Sequence, residues 1–321
     1  MCAKVQQDPI LHVAICIATY RRPHGLKMLI ESLNAQDLDG WNVRITLVIA
    51  DNAPDETAQS QLGDIQGLSL WPVIYVIEHE RGIVSARNRT LAEAPYDARY
   101  FAFLDDDETA SPTWLARMLD VIETPETVAV QGAVQPKYRQ KPPDWVDALG
   151  LFQMGPYEHR AQLPSAATNN SIADAAVIRA HGLRFDMRFN TTGGEDEEFF
   201  SRLNQTGGMI RSAADALVWD DVPENRTTMR WLSRRWFRKG NTLGRIALIR
   251  RQGVVLRMVK GVGAIGWGAT LCLCLGFGSR ARMYRGVLEV CRGAGMLAAM
   301  ARLTFSEYSA AAVRVDRIGG R

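Results

Sequence analysis

Paired metal-binding cysteines and the common nucleophile or phosphate-loop signatures are all missing from this chain of 321 residues. The five cysteines, Cys2, Cys16, Cys272, Cys274 and Cys291, have no zinc-ligand spacing, and Cys272 and Cys274 stand too close in sequence for an easy bridge. They read as reduced, buried thiols of an intracellular protein. The opening stretch MCAKVQQDPI lacks the basic-then-apolar pattern of a secretory signal, so this region is expected to stay in the cytoplasm. There is no Gly-x-Ser-x-Gly elbow, no phosphate loop ending in Gly-Lys-Ser/Thr and no His-Glu-x-x-His helix, so the esterase, P-loop and zincin schemes fit the sequence less well. The five histidines are scattered, and no repeat or low-complexity tract interrupts the sequence. Acid is scarce in one region. Residues 226–321 hold 3 acidic and 19 basic side chains, net +16, whereas residues 1–225 hold 32 acidic and 19 basic, net −13. Such a split points to two parts with different partners, or to two halves that neutralise each other across an internal interface.

The composition, 47% hydrophobic and 23% charged, is that of a globular protein. His12 to Ala18 (HVAICIA), Val43 to Ala50 (VRITLVIA), Val73 to Ile77 and Tyr100 to Leu104 read as buried strands, and Leu26 to Leu33 and Val84 to Ala94 as helices. Their alternation predicts an α/β fold, a mostly parallel sheet flanked by helices on both faces. Each strand ends in polar or charged residues, and ligands of open α/β sheets bind outside the carboxyl ends of the strands. The tips should therefore converge on one site. Gln135 to Asp144 (QPKYRQKPPD) reads as a mobile connection, and the composition changes abruptly near Arg226. The expected division is a catalytic domain over 10–225 and a basic, partly apolar helical region over 226–321.

FAFLDDDET puts Asp105, Asp106 and Asp107 directly after a strand. Three adjacent carboxylates stay ionised together only with positive charge among them. A divalent cation with oxygen ligands would supply it and leave positions open for phosphate oxygens. A solvated turn or a helix N-terminus is the plainer alternative. A second acidic run, Gly193-Gly194-Glu195-Asp196-Glu197-Glu198, precedes Phe199-Phe200, and it too has a plain reading as an acidic helix start.

Taken in order, ATYRR, IADNA, ERGIVSARN, FLDDDE, TNNSI and GGEDEEF resemble the family 2 glycosyltransferases of GT-A fold, over about residues 10 to 240. The nearest look is to bacterial members that build exopolysaccharide, the succinoglycan-type enzymes. The resemblance implies that Thr19, Arg21 and Asp51 contact the nucleotide base and ribose, and that Arg87 and Asn88 lie near the nucleotide and its phosphates. Asp105 and Asp107 would be the outer members of the Asp-x-Asp motif, with Asp106 beside the donor and Asp107 the leading ligand of Mn²⁺ or Mg²⁺. Inverting members use the Asp of the Glu-Asp pair as general base, which assigns Asp196 that role, with Glu195 second. Asn169, Asn170 and Gly194 would line the sugar or acceptor pocket. Trp231 to Trp236 partly resembles the Gln-x-x-Arg-Trp motif of processive members, but Leu232 takes the Gln position, so a non-processive enzyme is implied. Arg234, Arg235 and Trp236 either bind a diphosphate or acceptor phosphate, or form a basic amphipathic face. The activity implied is transfer of a sugar from a nucleotide donor, a UDP-sugar by default, to a lipid-linked or glycan acceptor. The alternative of another class is a non-catalytic nucleotide-sugar or polysaccharide-binding protein that kept the fold. Such a binder has no need of a base at Asp196.

Gly261 to Gly278 is an uncharged run of eighteen residues containing six glycines, at the threshold length for a membrane span. Lys260 flanks one end and Arg280, Arg282 and Arg285 the other, and this symmetry favours a hairpin or an interfacial helix. With Arg245, Arg250, Arg251 and Arg257 nearby, an anionic membrane surface on the cytoplasmic side is the expected partner. A helix packed on the catalytic domain is the alternative. No recognisable nucleic-acid module accompanies the charge, so nucleic acid is not expected.

Overall fold

The computed structural model describes residues 10–53, 57–273 and 279–303. β-Branched and aromatic runs form four parallel strands, and amphipathic segments between them form the connecting helices. In chain order these are β1 (Leu11–Thr19), α1 (Pro23–Asn34), β2 (Val43–Asp51), α2 (Thr57–Leu68), β3 (Val73–Ile77), α3 (Ile83–Glu93) and β4 (Tyr100–Asp105). The strands expected from apolar runs all form, within one residue at either end.

Beyond β4 come β5 (Glu108–Ala110), α4 (Trp114–Ile122), β6 (Thr127–Tyr138), α5 (Asp144–Ala148), β7 (Gln162–Leu163), β8 (Ser171–Asp174), α6 (Ala175–Ala180), α7 (Glu195–Asn204) and β9 (Met209–Val222). Here the pairing turns antiparallel: β4 with β8, β8 with β6, and β9 with both β5 and β7. Among the described residues the sheet has nine strands in the order β3-β2-β1-β4-β8-β6-β9-β5, with β7 on β9. The expected sheet is therefore parallel only through β4. Parallel neighbours need a long crossover, and after α4 the helices between strands are mostly single short turns. Of the expected connection Gln135 to Asp144, the residues up to Tyr138 complete β6 and Asp144 opens α5.

Period-two alternation gives the central strands two buried faces. Val13, Ile15 and Ile17 of β1 and Tyr100, Ala102 and Leu104 of β4 pack into one core with Leu26, Leu29 and Ile30 of α1 and Trp114, Leu115 and Met118 of α4. Phe103 of β4 points the other way, and its ring lies 6.5 and 6.2 Å from those of Phe199 and Phe200 on α7.

The chain divides into two compact units. The first is Met1–Gln135, Met154–Met187 and Glu195–Asp220, and the second is Pro136–Gln153, Arg188–Gly194 and Asp221–Arg321. Beyond the continuous tail, the second unit thus includes two short segments from inside 10–225. It is built on α8 (Met229–Arg250), α9 (Val254–Leu273) and α10 (Arg280–Met300). Thr228 and Ser279 cap α8 and α10 through their hydroxyls. Val146, Phe152, Val222, Leu232 and Leu288 form its core. Glycines let the helices touch backbone to backbone: a Cβ on Gly240 of α8 would lie 1.9 Å from the Arg292 carbonyl of α10. Cys16 is a buried thiol, pushed up to about 12 by burial, and Cys272 and Cys291 are half-buried. Cys2 and Cys274 lie outside the described residues.

Candidate active site

Register brings the strand tips together. Thr19 at the end of β1 pairs with Asp51 at the end of β2, and Ala18 pairs with Asp105 at the end of β4. Asp51 is buried; its Oδ2 accepts from the Tyr75 hydroxyl at 2.6 Å and its Oδ1 from the Ala53 N–H at 2.8 Å. Asn52 ties this tip to the loop entering α3, donating to the carbonyls of Glu78 (2.9 Å) and Glu80 (2.8 Å) and accepting from Gly82 N–H (2.7 Å).

The aspartate cluster is held from three sides. Thr19 Oγ1 donates to Asp106 Oδ2 at 2.8 Å, and Arg22 Nη1 donates at 2.8 Å to both Asp106 Oδ1 and Asp107 Oδ2. Behind them, a Cβ on Gly25 would come within 2.4 Å of the Asp106 carbonyl, so only glycine lets the first turn of α1 lie against the cluster. Glu108 is buried and accepts the Asp105 N–H through Oε2 at 2.9 Å, fixing the turn that carries Asp105 and Asp107. Burial pushes the Asp106 carboxyl up to about 6 against the opposing pull of Arg22. Burial and then neighbouring Asp105 hold Glu108 well above the usual carboxylate range. Asp105 is raised as well, by removal from water and by Asp107, with Arg87 opposing. Arg22 responds in kind: burial disfavours its charge, but Asp106 and Asp107 outweigh this and raise it.

The second acidic cluster opens α7, where acids favour the helix N-terminus. Phe199 stacks on Phe185 with ring centres 4.2 Å apart, and both rings meet Phe103 edge-on. That aromatic packing sets the start of α7 near the tip of β4. Arg87 of α3 then joins the clusters: Nη2 donates to Asp105 Oδ1 at 3.2 Å, and Nη1 donates to Glu195 Oε1. Glu198 is held by Arg202 one turn along, at 2.8 Å. Asp196 differs. It is half-buried, its Oδ1 accepts the Glu197 N–H at 2.8 Å, and it forms no ion pair among the described residues.

Thr19, Asp51, Arg87, Asp105, Asp106, Asp107, Glu195 and Asp196 thus belong to one unit and mostly to one hydrogen-bonded constellation. Arg21 stands beside it in a left-handed turn (φ 54°), its guanidinium 5.4 Å from the Tyr20 ring centre. Asn88 serves the scaffold instead, because its amide exchanges two hydrogen bonds of 2.9 Å with the backbone of Phe185 and so locks α3 to the aromatic cluster. Asn170 departs from the expected pocket role. It is fully buried, and its amide is used up by Trp114 Nε1 (2.7 Å) and the carbonyls of Ala133 (2.8 Å) and Ala216 (2.9 Å). Asn169 keeps a buried Oδ1 with no hydrogen-bond partner. In the second unit, Gly194 sits at φ 92°, where a Cβ would meet Thr242 at 2.1 Å. Arg234 is exposed on α8, Arg235 lies 5.4 and 5.2 Å from the ring centres of Phe152 and Trp231, and Lys239 lies over Trp236 at 4.8 Å. The residues the motifs did not single out are Arg22 and Glu108. Both were in view, as the second arginine of ATYRR and the acid closing FLDDDE.

Among the described residues, no three His, Cys, Asp or Glu side chains converge as a ready metal nest. Asp105 and Asp107 do fit a divalent cation that also binds phosphate. They are hard oxygen donors on a turn braced by Glu108, and two carboxylates leave most of an octahedral shell to water and phosphate oxygens.

The profile of the family described as "Glycosyl transferase family 2" matches residues 14–184. Among curated proteins, the chain is 31% identical over 295 residues to the succinoglycan biosynthesis protein ExoM of Rhizobium meliloti, covering 90% of this chain and 93% of the relative. It is 24% identical to the glucosyl-dolichyl phosphate glucuronosyltransferase of Haloferax volcanii, over 71% of this chain and 74% of that one. Among solved structures, the mannosyltransferase PcManGT of Pyrobaculum calidifontis, in complex with GDP-Man and Mn²⁺, superposes with TM-score 0.58 at 15% identity, over 90% of this chain and 86% of that one. That likeness bears on the fold alone, and the fold is the GT-A arrangement.

Proposed function

The chain belongs to glycosyl transferase family 2, and on that premise we propose that it is a divalent-metal-dependent, inverting, non-processive enzyme. Its donor is a nucleoside diphosphate sugar, with a UDP-sugar the first to test. Its acceptor is a lipid-linked oligosaccharide or glycan in surface or exopolysaccharide assembly. That the chain is a glycosyltransferase at all, and not a binder that kept the fold, follows from the family and from relatives named for the activity.

The observation that carries this reading is the pair of acidic clusters bridged by Arg87, with one acid of the second cluster, Asp196, in no ion pair among the described residues. Asp105 and Asp107 would hold Mn²⁺ or Mg²⁺, which when bound offsets charge on the departing diphosphate. Asp51 presents a carboxylate to the base. It already takes two hydrogen bonds, and a carboxylate has about four acceptor positions, so room remains for a nucleobase N–H. Thr19 holds Asp106 in place and stands in register beside Asp51. Asp196 takes the proton from the acceptor hydroxyl as that oxygen attacks the anomeric carbon and the C–O bond to the diphosphate breaks. Glu195 is engaged by Arg87 and acts as a positioning residue. Transfer of a single sugar per encounter accords with Leu232, fully buried where processive relatives carry a glutamine. The basic second unit brings the enzyme to the cytoplasmic side of the membrane, where a lipid-linked acceptor would be found. Asp196→Asn tests the assignment. It should keep nucleotide-sugar affinity within about twofold and lose transfer by a factor of about 10² or more, in the range of general-base contributions; equal losses of both would sink it.

A further inference from the structure

Helix α9 is apolar almost all round, yet little of it is covered. It is long and apolar enough to cross a membrane, with a mean hydropathy of 1.3, and only 22% of that window is buried. One narrow seam, Gly261, Ala264, Gly268 and Leu271, faces α10. Contact there is backbone-close: a Cβ on Gly268 would lie 2.5 Å from the Gly286 carbonyl, and one on Gly293 would lie 2.5 Å from that of Gly261. At about 100° per residue, Val255, Val259, Val262 and Leu273 fall within about 60° of one another on the side opposite this seam. Their exposures are 73, 63, 61 and 71%. An outward apolar stripe of this size needs an occupant.

The flank between stripe and seam names the occupant's chemistry. A cleft of about 430 Å³ runs from that flank, where Lys260 and Trp267 of α9 lie, to Arg257, in line with the seam one turn before Gly261, and is also lined by Glu289 and Arg292 of α10. Glu289 neutralises Arg292 at 2.5 Å, whereas Arg257 and Lys260 have no ion-pair partner among the described residues. Trp267 is 54% exposed at the rim, the kind of side chain that favours the level of lipid headgroups. Lys260 and Trp267 thus sit on the flank next to the apolar stripe, and Arg257 adds a second unneutralised cation to the same cleft.

We propose that this cleft binds the phosphate of an anionic phospholipid headgroup while the Val255–Val259–Val262–Leu273 stripe enters the acyl boundary, so that α9 lies in the plane of the membrane. This rests on the membrane-surface part of the function proposed above and gives it a specific site. A spanning α9 fits less well. The Gly261–Gly293 and Gly268–Gly286 contacts set Glu289 and Arg292 of α10 alongside the middle of α9, and charges at mid-bilayer are costly.

The test uses the full chain and vesicles of phosphatidylcholine, alone or mixed with phosphatidylglycerol, in a flotation assay. Wild type should float with the mixed vesicles and much less with phosphatidylcholine alone. Arg257→Gln/Lys260→Gln should lose roughly thirtyfold in partitioning, as expected for two basic residues at an anionic surface. Arg280→Gln/Arg282→Gln, which removes equal charge outside the cleft, should lose clearly less. Nucleotide binding, measured on the same samples, reports that each variant is folded. Equal losses from both pairs would overturn the site and leave only diffuse attraction, as would an undiminished Arg257/Lys260 variant. Wild type that floats equally well without phosphatidylglycerol also overturns it. Failure of wild type to bind any vesicle would remove the membrane reading itself, without touching the transferase assignment, which donor turnover tests separately.

Discussion

Replacing Arg87 by alanine should damage the fold as much as the chemistry. The guanidinium and the Glu195 carboxylate are 10% and 6% exposed, and the same arginine also reaches Asp105. Truncation would take the Arg87 cation away from a buried acid, a change that typically costs about 3–5 kcal/mol. For a domain of this size each kcal/mol shifts the midpoint by about 2–4 °C, so a fall of roughly 6–20 °C is expected. Urea titration and thermal melting followed by far-UV circular dichroism would measure it. Arg87→Met keeps most of the volume and should be nearly as harmful, since the loss is of charge. Adding Glu195→Gln should restore a good part of the stability, because the buried charge that Arg87 faced is then gone. A cost below about 1 kcal/mol, or a double variant no better than Arg87→Ala alone, would refute the bridging role.

Arg22 occupies the oxygens of Asp106 and Asp107 through one nitrogen. For a half-exposed pair the expected worth is up to about 1 kcal/mol per contact, so Arg22→Gln should tighten Mn²⁺ binding in the absence of nucleotide by about 2- to 20-fold. Unchanged or weaker binding by calorimetry would contradict this. The helical contacts make a paired prediction. Gly240→Ala drives a Cβ into the Arg292 carbonyl and should cost about 1–3 kcal/mol. Gly266→Ala, with nothing within 4 Å, should gain about 0.5–1 kcal/mol from helix propensity alone.

The parallel half of the sheet was legible because period and composition agree there: each apolar run is a strand and each amphipathic segment a helix. The strand tips were legible for the same reason, since α/β geometry sends them to one end. The antiparallel half was not, because β5, β7 and β8 are short and their pairing is decided by neighbours distant in sequence. The same limit applies inside the site. Arg87 and Glu195 are 108 residues apart, and only packing of Phe199 and Phe185 on Phe103 brings them together. Asn170 shows the converse, where a polar motif residue turns out to satisfy buried carbonyls and an indole N–H, which no local pattern announces.

Release of nucleoside diphosphate from a panel of nucleotide sugars, with Mn²⁺ or Mg²⁺ and then with EDTA, bears most directly on the central claim. The account predicts turnover of one donor, abolished by EDTA, restored by added metal, and reduced by about 10² or more in Asp107→Asn, on the scale of losing one preorganised electrostatic contact. Turnover that persists in EDTA, or that survives Asp107→Asn intact, would contradict a metal held by the aspartates at the tip of β4.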